Sequence, residues 1–275
     1  MAEKRLLTIQ DISCVGQCSM TVALPILTAC GLETCVLPSS VLSSHTGGFS
    51  HVSARNLADA FPEFWENWKK EDIHFDAVYT GYLGSTNHVA ALLEMMSDFD
   101  GMLLVDPAMA DHGVLYRGFD KEYLAAMTKL CRRADILIPN ITEACMLTGM
   151  QFRESYDETY IDHLLTELGK LGCGCVVLTG VSFTPDTTGV MIARGGENTY
   201  YPHRRLAKNF HGTGDIFASA FVGTYLQDKA LEEAVKIAAE YTVLSMEKTL
   251  EYPEHWYGVK FETMLPWLIS KIRGE

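Results

Sequence analysis

The feature of this sequence that most constrains its fold is an alternation of two kinds of segment. Short apolar runs of β type are followed repeatedly by longer stretches with helical periodicity. Parallel strands need long crossover connections, which are usually helices, so the alternation indicates a mostly parallel sheet. The sequence therefore predicts an α/β fold in three layers, with a central sheet between two layers of helices.

The predicted strands are short and end at polar or glycine positions. They cover residues 5–10, 34–37, 77–80, 102–105, 136–138 and 175–178, with a late hairpin over residues 189–193 and 199–201 around Gly195-Gly196. The predicted helices cover residues 20–29, 52–70, 87–97, 121–132, 142–147, 158–171, 214–226, 231–248 and 261–271. Because no linker-like segment interrupts this order, one domain over residues 1–275 is the simplest interpretation.

The charge balance argues against two classes of partner. With 22 Lys and Arg against 35 Asp and Glu, the net charge is −13, which disfavours nonspecific binding to nucleic acid or to an anionic membrane. We see no signal-type segment after residues 1–5 and no apolar run that could span a bilayer, so we expect a cytoplasmic protein. The eight cysteines include no CxxC pair, and core packing is expected for most; a reactive thiol is an alternative for Cys14 and Cys18.

Polar or glycine residues follow several predicted strands at the point where each strand ends. They are Asp11, Gly81, Asp106, Asn140 and Thr179. Because the carboxyl ends of parallel strands meet at one edge of the sheet, and ligands of open α/β sheets bind at that edge, these residues predict a binding site.

A glycine-rich turn, His211-Gly212-Thr213-Gly214-Asp215, opens the apolar helix over residues 214–226. Amide N–H groups at a helix N-terminus, together with the helix dipole, favour an anion such as phosphate. Asp215 beside such an anion suits a base that takes a proton from a substrate hydroxyl. The alternative is a flexible turn with an acid near the N-cap.

Two further segments carry acids that suit Mg²⁺. Asp106 follows a buried strand and is fixed by Pro107, and it could hold a Mg²⁺-bound water or simply start a turn. Glu143 falls three residues after Asn140, in the first turn of a helix, and could face a hydrated Mg²⁺ or complete a helix cap.

The polar loop over residues 39–48 contains Ser44-His45-Thr46-Gly47, whose hydroxyls and amides could bind a small polar ligand or face solvent. Neither GxxxxGK[ST] nor GxGxxG occurs, so a P-loop and a classical dinucleotide fingerprint are both unsupported.

In order and spacing these motifs resemble the ribokinase-like superfamily, and within it the pyridoxal kinase (vitamin B6 kinase) branch. The resemblance runs from Leu7 to about Lys248 and includes residues 8–10, 44–47, 80–85, 105–107, 139–143 and 212–215. It implies a ribokinase-like α/β/α fold, ATP and Mg²⁺ as cofactors, a monovalent cation such as K⁺ as a candidate further cofactor, and a homodimer. The implied activity is transfer of a phosphoryl group from ATP to the 5′-hydroxymethyl group of a B6 vitamer.

The resemblance also implies a role for each matching residue. The implied catalytic residues are the base Asp215 and the anion-hole residues Gly212, Thr213 and Gly214. The implied substrate residues are Asp11, His45, Thr46, Gly47, Tyr82 and Asp215. The implied nucleotide and Mg²⁺ residues are Asp106, Asn140, Glu143, Thr179, Gly180, Lys208 and His211, with Asp106 and Glu143 on the metal. Residues 202–210, which include Arg204, Arg205 and Lys208, are similar to the family's flap near ATP.

The sequence departs from the B6 branch at two positions. Asp11 stands where those kinases often have Ser, and a carboxylate there would favour a protonated pyridine ring. A His directly before the glycine turn, as at His211, is similar to the hydroxymethylpyrimidine kinases, a sister branch that typically has Cys at the position of Asp215. The alternatives are therefore a hydroxymethylpyrimidine kinase and a noncatalytic protein that binds B6 vitamers.

Overall fold

The computed structural model describes residues 4–208 and 210–275. Within these residues, nine strands form one continuous sheet and two short strands form a separate hairpin. The strands are, in chain order, β1 Arg5–Ser13, β2 Glu33–Leu42, β3 Ala54–Asn56, β4 Ala77–Thr80, β5 Met102–Val105, β6 Ala110–Asp111, β7 Val114–Leu115, β8 Ile136–Leu137, β9 Cys175–Thr184, β10 Thr187–Arg194 and β11 Glu197–Arg204. The helices are, in chain order, α1 Met20–Ala29, α2 Ala60–Lys70, α3 Thr86–Met95, α4 Lys121–Cys131, α5 Ile141–Thr148, α6 Glu158–Gly169, α7 Thr213–Leu226, α8 Leu231–Leu250 and α9 Leu265–Arg273; a 3-10 turn at Glu262–Met264 precedes α9.

The strand order in the large sheet is β11-β10-β9-β8-β5-β4-β1-β2-β3. Neighbouring strands from β2 to β9 pair in parallel, whereas β3, β10 and β11 pair antiparallel at the two edges. Strand β1 pairs with β2 on one side and with β4 on the other, so the strand order reverses between β1 and β4. Such a reversal leaves a crevice beyond the carboxyl ends of the strands, where ligands bind in open α/β sheets.

Helices cover both faces of the sheet and bury two separate apolar clusters. Helices α2 to α6 pack on one face, to which β1 contributes Leu7 and β5 contributes Leu103. Helices α1, α7, α8 and α9 pack on the other face, with Leu6 and Leu104 from the same two strands. Adjacent residues point to opposite faces because side chains alternate along a strand. The predicted three-layer α/β/α fold with a mostly parallel sheet is confirmed. Over the same two described ranges, we find no helix with the length and apolar character to cross a membrane.

The predicted helix over residues 52–70 is wrong in its first part. Strand β3 occupies Ala54–Asn56 and pairs antiparallel with the end of β2, and α2 begins only at Ala60. Phe61 and Trp65 are buried on α2, so the helical periodicity holds from that point on. The strand was missed because it has only three residues and its pairing with β2 spans the polar loop between them, so a short window of sequence does not show it.

The first strand is longer than predicted, which corrects the placement of Asp11. Strands β1 and β2 continue side by side to Ser13 and Leu42, with an irregularity in the register between Gln10 and Ile12. Asp11 therefore lies inside β1, at this irregularity, and not after its end. For the same reason, the predicted polar loop begins after Leu42 and not at residue 39.

Thr179 and Gly180 also lie inside a strand and not after one. Strand β9 continues to Thr184 because it turns directly into its antiparallel partner β10. The β10–β11 hairpin around Gly195-Gly196 is confirmed, whereas the short β6–β7 hairpin was not predicted.

Candidate active site

The glycine turn before α7 has a shape that only glycine can adopt. Gly212 has a φ of 82°, in the left-handed region, and a Cβ there would lie 2.2 Å from the backbone oxygen of Gln17. A Cβ at Gly214 would meet no atom within 4 Å, so open space surrounds this part of the turn. The first amide N–H groups of α7 have no partner within the helix and lie at its positive end. This is the geometry that an anion site needs.

Asp215 lies in the first turn of α7, where two helix N-termini meet. Burial raises the pKa of its carboxyl to about 6; the Ser19 backbone N–H, which donates to this carboxylate, lowers it, and the nearby charge of Asp11 raises it. Ser19 is the N-cap of α1 and has a φ of 48°, which is uncommon for a residue with a side chain. A carboxylate with a pKa near 6 suits a general base at neutral pH.

Asp11 and Tyr82 lie on the same crevice as Asp215. Asp11 is buried, with 4% of its surface exposed, and accepts a hydrogen bond from the Ser13 hydroxyl over 3.1 Å. Burial raises the pKa of Asp11, while hydrogen bonds from Ser19 and Ser13 lower it. Burial and the charge of Asp11 both raise the pKa of Tyr82, which indicates that its hydroxyl lies near this carboxylate. The structure thus brings together two of the predicted substrate residues.

Asp106 and Glu143 form a second group of acids beside Asp215. Burial raises the pKa of Asp106 well above its usual value, and the charges of Glu143 and Asp215 raise it further. Asp106 Oδ1 accepts the backbone N–H of Ala108 over 3.1 Å. Three carboxyl groups thus lie near one another, an arrangement that a cation would stabilise.

Glu143 caps helix α5 in the structure. Its Oε2 accepts the backbone N–H of Asn140 over 2.9 Å, and the Asn140 Oδ1 accepts the backbone N–H of Glu143 over 2.9 Å, which makes a capping box. The other carboxylate oxygen, Oε1, accepts the N–H of Met109 over 2.9 Å. Glu143 therefore fills the capping role that the sequence left open, and it also fixes the segment after Asp106.

These acids fit Mg²⁺ only as an ion with few protein ligands. Within residues 4–208 and 210–275, no three His, Cys, Asp or Glu side chains form a group that could hold a metal ion. Mg²⁺ in kinase sites is usually held by one or two carboxylates, with phosphates and water as the other ligands. Asp106 and Glu143 could provide this carboxylate contribution, and the ion would neutralise charge on the phosphates.

The loop after β2 contacts both the first strand's loop and the glycine turn. The His45 backbone N–H donates to the Val15 oxygen over 2.8 Å. The Gly47 backbone N–H donates to His45 Nδ1 over 3.1 Å, so a neutral His45 carries its proton on Nε2. Burial lowers the pKa of His45, and the nearby His211 lowers it further; the two rings are 5.3 Å apart. A Cβ at Gly47 would lie 2.9 Å from His211 Cε1, so the loop touches the turn directly.

Two further predicted substrate residues differ in their surroundings. Thr46 is exposed at the outer side of the same loop. Tyr82 is fixed by a hydrogen bond from the Ser39 hydroxyl to its backbone oxygen over 2.9 Å and stacks on Phe119, with ring centroids 5.3 Å apart. Phe119 stacks in turn on Tyr123 at 3.7 Å. This stack gives Tyr82 a rigid support.

The residues predicted to contact the nucleotide do not form one group, because Thr179 and Gly180 are on β9 whereas His211 packs against His45. Thr179 forms a β-bridge with Asn140, and its N–H donates to the Pro139 oxygen over 2.9 Å. Gly180 has a φ of 77° and open space where a Cβ would be. Lys208 is exposed, and its Nζ lies 4.8 Å from the centre of the Phe210 ring.

The basic segment over residues 202–210 does not present all its charges to this site. Arg204 forms an ion pair with Glu247 on α8, so its charge is already paired within the protein.

The sequence patterns did not single out Gln17, Ser19 or Tyr116 as site residues. Burial raises the pKa of Tyr116, and the charges of Glu143 and Asp106 are among those that raise it further, so its hydroxyl lies close to the acids. The Gln17 backbone oxygen lies against Gly212 and the Ser19 backbone N–H donates to Asp215, and no side-chain pattern marks such backbone roles. Cys18, by contrast, is buried beside Asp215; burial and this charge raise the pKa of its thiol, which favours the core interpretation.

Comparison with known proteins identifies the family. The model of the phosphomethylpyrimidine kinase family matches residues 30–259. A thiamine biosynthesis bifunctional protein of Geobacter sulfurreducens is 32% identical over 176 residues, which are 62% of this chain and 34% of that protein. The pyridoxal kinase structure from Lactobacillus plantarum has a TM-score of 0.91 and 30% identity, covering 97% of each chain. A Bacteroides thetaiotaomicron protein assigned to the phosphomethylpyrimidine kinases, in a crystal form with pyridoxal, has a TM-score of 0.90 and 31% identity, covering 97% of this chain and 96% of that one. This chain therefore belongs to the phosphomethylpyrimidine kinase family, which places it among the pyridoxal and hydroxymethylpyrimidine kinases of the ribokinase-like superfamily.

Proposed function

We propose that this protein is a pyridoxal kinase, which transfers the γ-phosphoryl group of ATP to the 5′-hydroxymethyl group of a vitamin B6 vitamer. The observation that carries this proposal is the position of Asp215, at the N-terminus of α7 and within the influence of Asp11. The likeness to the Lactobacillus plantarum pyridoxal kinase and to the Bacteroides structure with pyridoxal supports a B6 vitamer as the substrate.

In the proposed reaction, Asp215 takes the proton of the substrate hydroxyl as its oxygen attacks the γ-phosphorus. The bond between this phosphorus and the bridging oxygen of ADP breaks, and ADP leaves with the electron pair. The amide N–H groups at the start of α7, after Gly212, would stabilise the charge on the transferred group. Catalysis of this kind depends mainly on positioning and charge stabilisation.

The cofactor assignments belong to the same proposal. Asn140, Thr179, Gly180, Lys208 and His211 would contact the nucleotide. Asp106 and Glu143 would contribute to a Mg²⁺ site, and Mg²⁺ would supply charge neutralisation at the phosphates. A role for K⁺, a homodimer, a single domain over residues 1–275 and a cytoplasmic location remain predictions from the sequence.

The substrate side of the site is assigned to the β1–β4 crevice. Asp11, His45, Gly47 and Tyr82 would contact the vitamer ring, and Thr46 would lie at the rim. A buried carboxylate at Asp11 would attract a protonated pyridine nitrogen, because opposite charges attract strongly where water is excluded.

A second candidate function is hydroxymethylpyrimidine phosphorylation. The family match and the His211 imidazole directly before the glycine turn favour it. A panel of ADP-release assays with pyridoxal, pyridoxine, pyridoxamine and hydroxymethylpyrimidine tests both candidates. Turnover with the pyrimidine alone would replace the B6 assignment, and binding of a vitamer without turnover would indicate a noncatalytic binding protein.

A further inference from the structure

A large aromatic side chain is held in an exposed position by buried neighbours. Trp256 is 53% exposed, in the segment between α8 and the 3-10 turn. His255, directly before it, is only 7% exposed, and Val259 and Phe261, a few residues later, are fully or almost fully buried. The segment is therefore anchored on both sides, and the indole is presented at a defined place.

The anchors connect this segment to the loop after β1. The ring nitrogen Nε2 of His255 lies 2.7 Å from Gln17 Oε1, and the Gln17 backbone N–H donates to the Tyr257 oxygen over 3.1 Å. A Cβ at Gly258 would lie 2.6 Å from Gln17 Cβ, so the two backbones approach closely. Because Gln17 also contacts Gly212, it connects the segment that carries Trp256 to the glycine turn.

The indole covers the loop that lies beside the glycine turn. Trp256 packs on Phe49 with ring centroids 4.7 Å apart and planes tilted by 45°. A Cβ at Gly48 would lie 3.1 Å from Trp256 Cζ3, and the adjacent Gly47 contacts the His211 ring. The indole therefore lies one residue away from the contact between this loop and the glycine turn.

We propose that Trp256 forms the outer wall of the substrate pocket and contributes to specificity for a planar heteroaromatic ring. This inference rests on the proposed function through the vitamer-binding site that it assigns to this crevice. The inner side of the crevice has the polar groups Asp11 and His45 and the aromatic ring of Tyr82, and a second flat apolar surface on the outer side would enclose a planar ring. The exposed part of the indole provides such a surface, and aromatic rings gain additional attraction when stacked offset or edge to face.

The test compares two substitutions that differ in keeping an aromatic ring. Trp256→Phe retains a ring against Phe49, whereas Trp256→Leu retains apolar cover without one. We expect Trp256→Leu to raise KM for pyridoxine about tenfold, because the free energy of one aromatic contact is lost, while KM for ATP stays unchanged. We expect Trp256→Phe to stay within about twofold of the unsubstituted protein. Phe64→Ala, on α2, is the matched control, because Phe64 is a similarly exposed aromatic at 41%.

Calorimetric titration with pyridoxine in the absence of ATP separates this inference from the proposed function. If pyridoxine binds without turnover, the proposed function fails, and the inference stands when Trp256→Leu weakens binding and Phe64→Ala does not. If turnover is normal and Trp256→Leu leaves KM and pyridoxine binding unchanged, only the inference is overturned. The inference is also overturned if the unsubstituted protein neither binds nor turns over pyridoxine, or if Trp256→Leu and Trp256→Phe weaken pyridoxine binding equally.

Discussion

The two glycines that flank Thr213 look alike in the sequence, but the structure predicts opposite responses to alanine. At Gly212, a Cβ would lie 2.2 Å from the Gln17 oxygen, and real Cβ contacts are essentially never below 3.0 Å. The turn or Gln17 must therefore move by at least 0.8 Å (3.0 − 2.2). The left-handed φ of 82° adds a cost of about 1–2 kcal/mol for a residue with a Cβ.

Gly212→Ala should therefore reduce both stability and catalysis. A displacement on the order of 1 Å at positioning groups can cost about 10²-fold in rate, so we expect kcat to fall by about 10²-fold. Gly214→Ala is the matched control for stability. Its Cβ meets no atom within 4 Å, and alanine inside a helix is more favourable than glycine by about 1 kcal/mol.

Thermal unfolding and ADP release, measured on both variants, check this reasoning. We expect the Tm of Gly212→Ala to decrease and the Tm of Gly214→Ala to stay equal or increase. If Gly212→Ala melts and turns over like the unsubstituted protein, the close contact with Gln17 does not shape the turn, and the argument from the structure is refuted.

Three other predictions concern acids of the site. Because Asp215 has a pKa of about 6, it is ionised above that pH and protonated below it, so kcat/KM should fall as the pH decreases through about 6. Asp215→Asn should lower kcat by roughly 10²–10⁴-fold. A flat pH profile or a near-normal kcat in this variant would show that Asp215 is not the base. Glu143→Gln places an amide NH₂ against a backbone N–H and should cost about 1–3 kcal/mol of stability, seen as a lower Tm. The same variant should need a higher Mg²⁺ concentration for activity. An unchanged Tm would contradict the capping geometry, and an unchanged Mg²⁺ titration would show that Glu143 acts only as a cap. Asp11→Ser should change the ratio of kcat/KM among pyridoxal, pyridoxine and pyridoxamine while KM for ATP stays nearly constant, and equal changes for all three would show that Asp11 does not select the vitamer.

The local signals in the sequence were sufficient to predict most of the sheet and the residues that follow some of its strands. A polar residue after a buried apolar run is visible in a short window, and Asp106 and Asn140 lie where that signal placed them. The period of the helix likewise gave α2 from Ala60 onward. These features depend on residues close in sequence, which is why a single sequence can indicate them.

The features that were missed depend on contacts between distant residues. Asp11 lies inside a strand because β1 and β2 extend together, and neither strand alone carries that information. The cap role of Glu143 was foreseen as an alternative, but its bond from Met109 was not, because it needs the segment after β5 to fold back on α5. The role of Gln17 is carried partly by backbone atoms, and its side-chain partners His255 and Glu262 lie 238 and 245 positions further along the chain.

The contacts of Gln17 with His255 and Glu262 determine how late in synthesis the active site can be completed. During synthesis, every strand of the large sheet is complete once Arg204 has emerged, long before His255 and Glu262 exist. The side-chain bonds that hold Gln17 beside the glycine turn can form only after those last partners have been synthesised. A nascent chain, or one cut before His255, would therefore hold the whole sheet and yet have a loosely placed turn. Proteolytic removal of the last segment should inactivate this protein before it unfolds it.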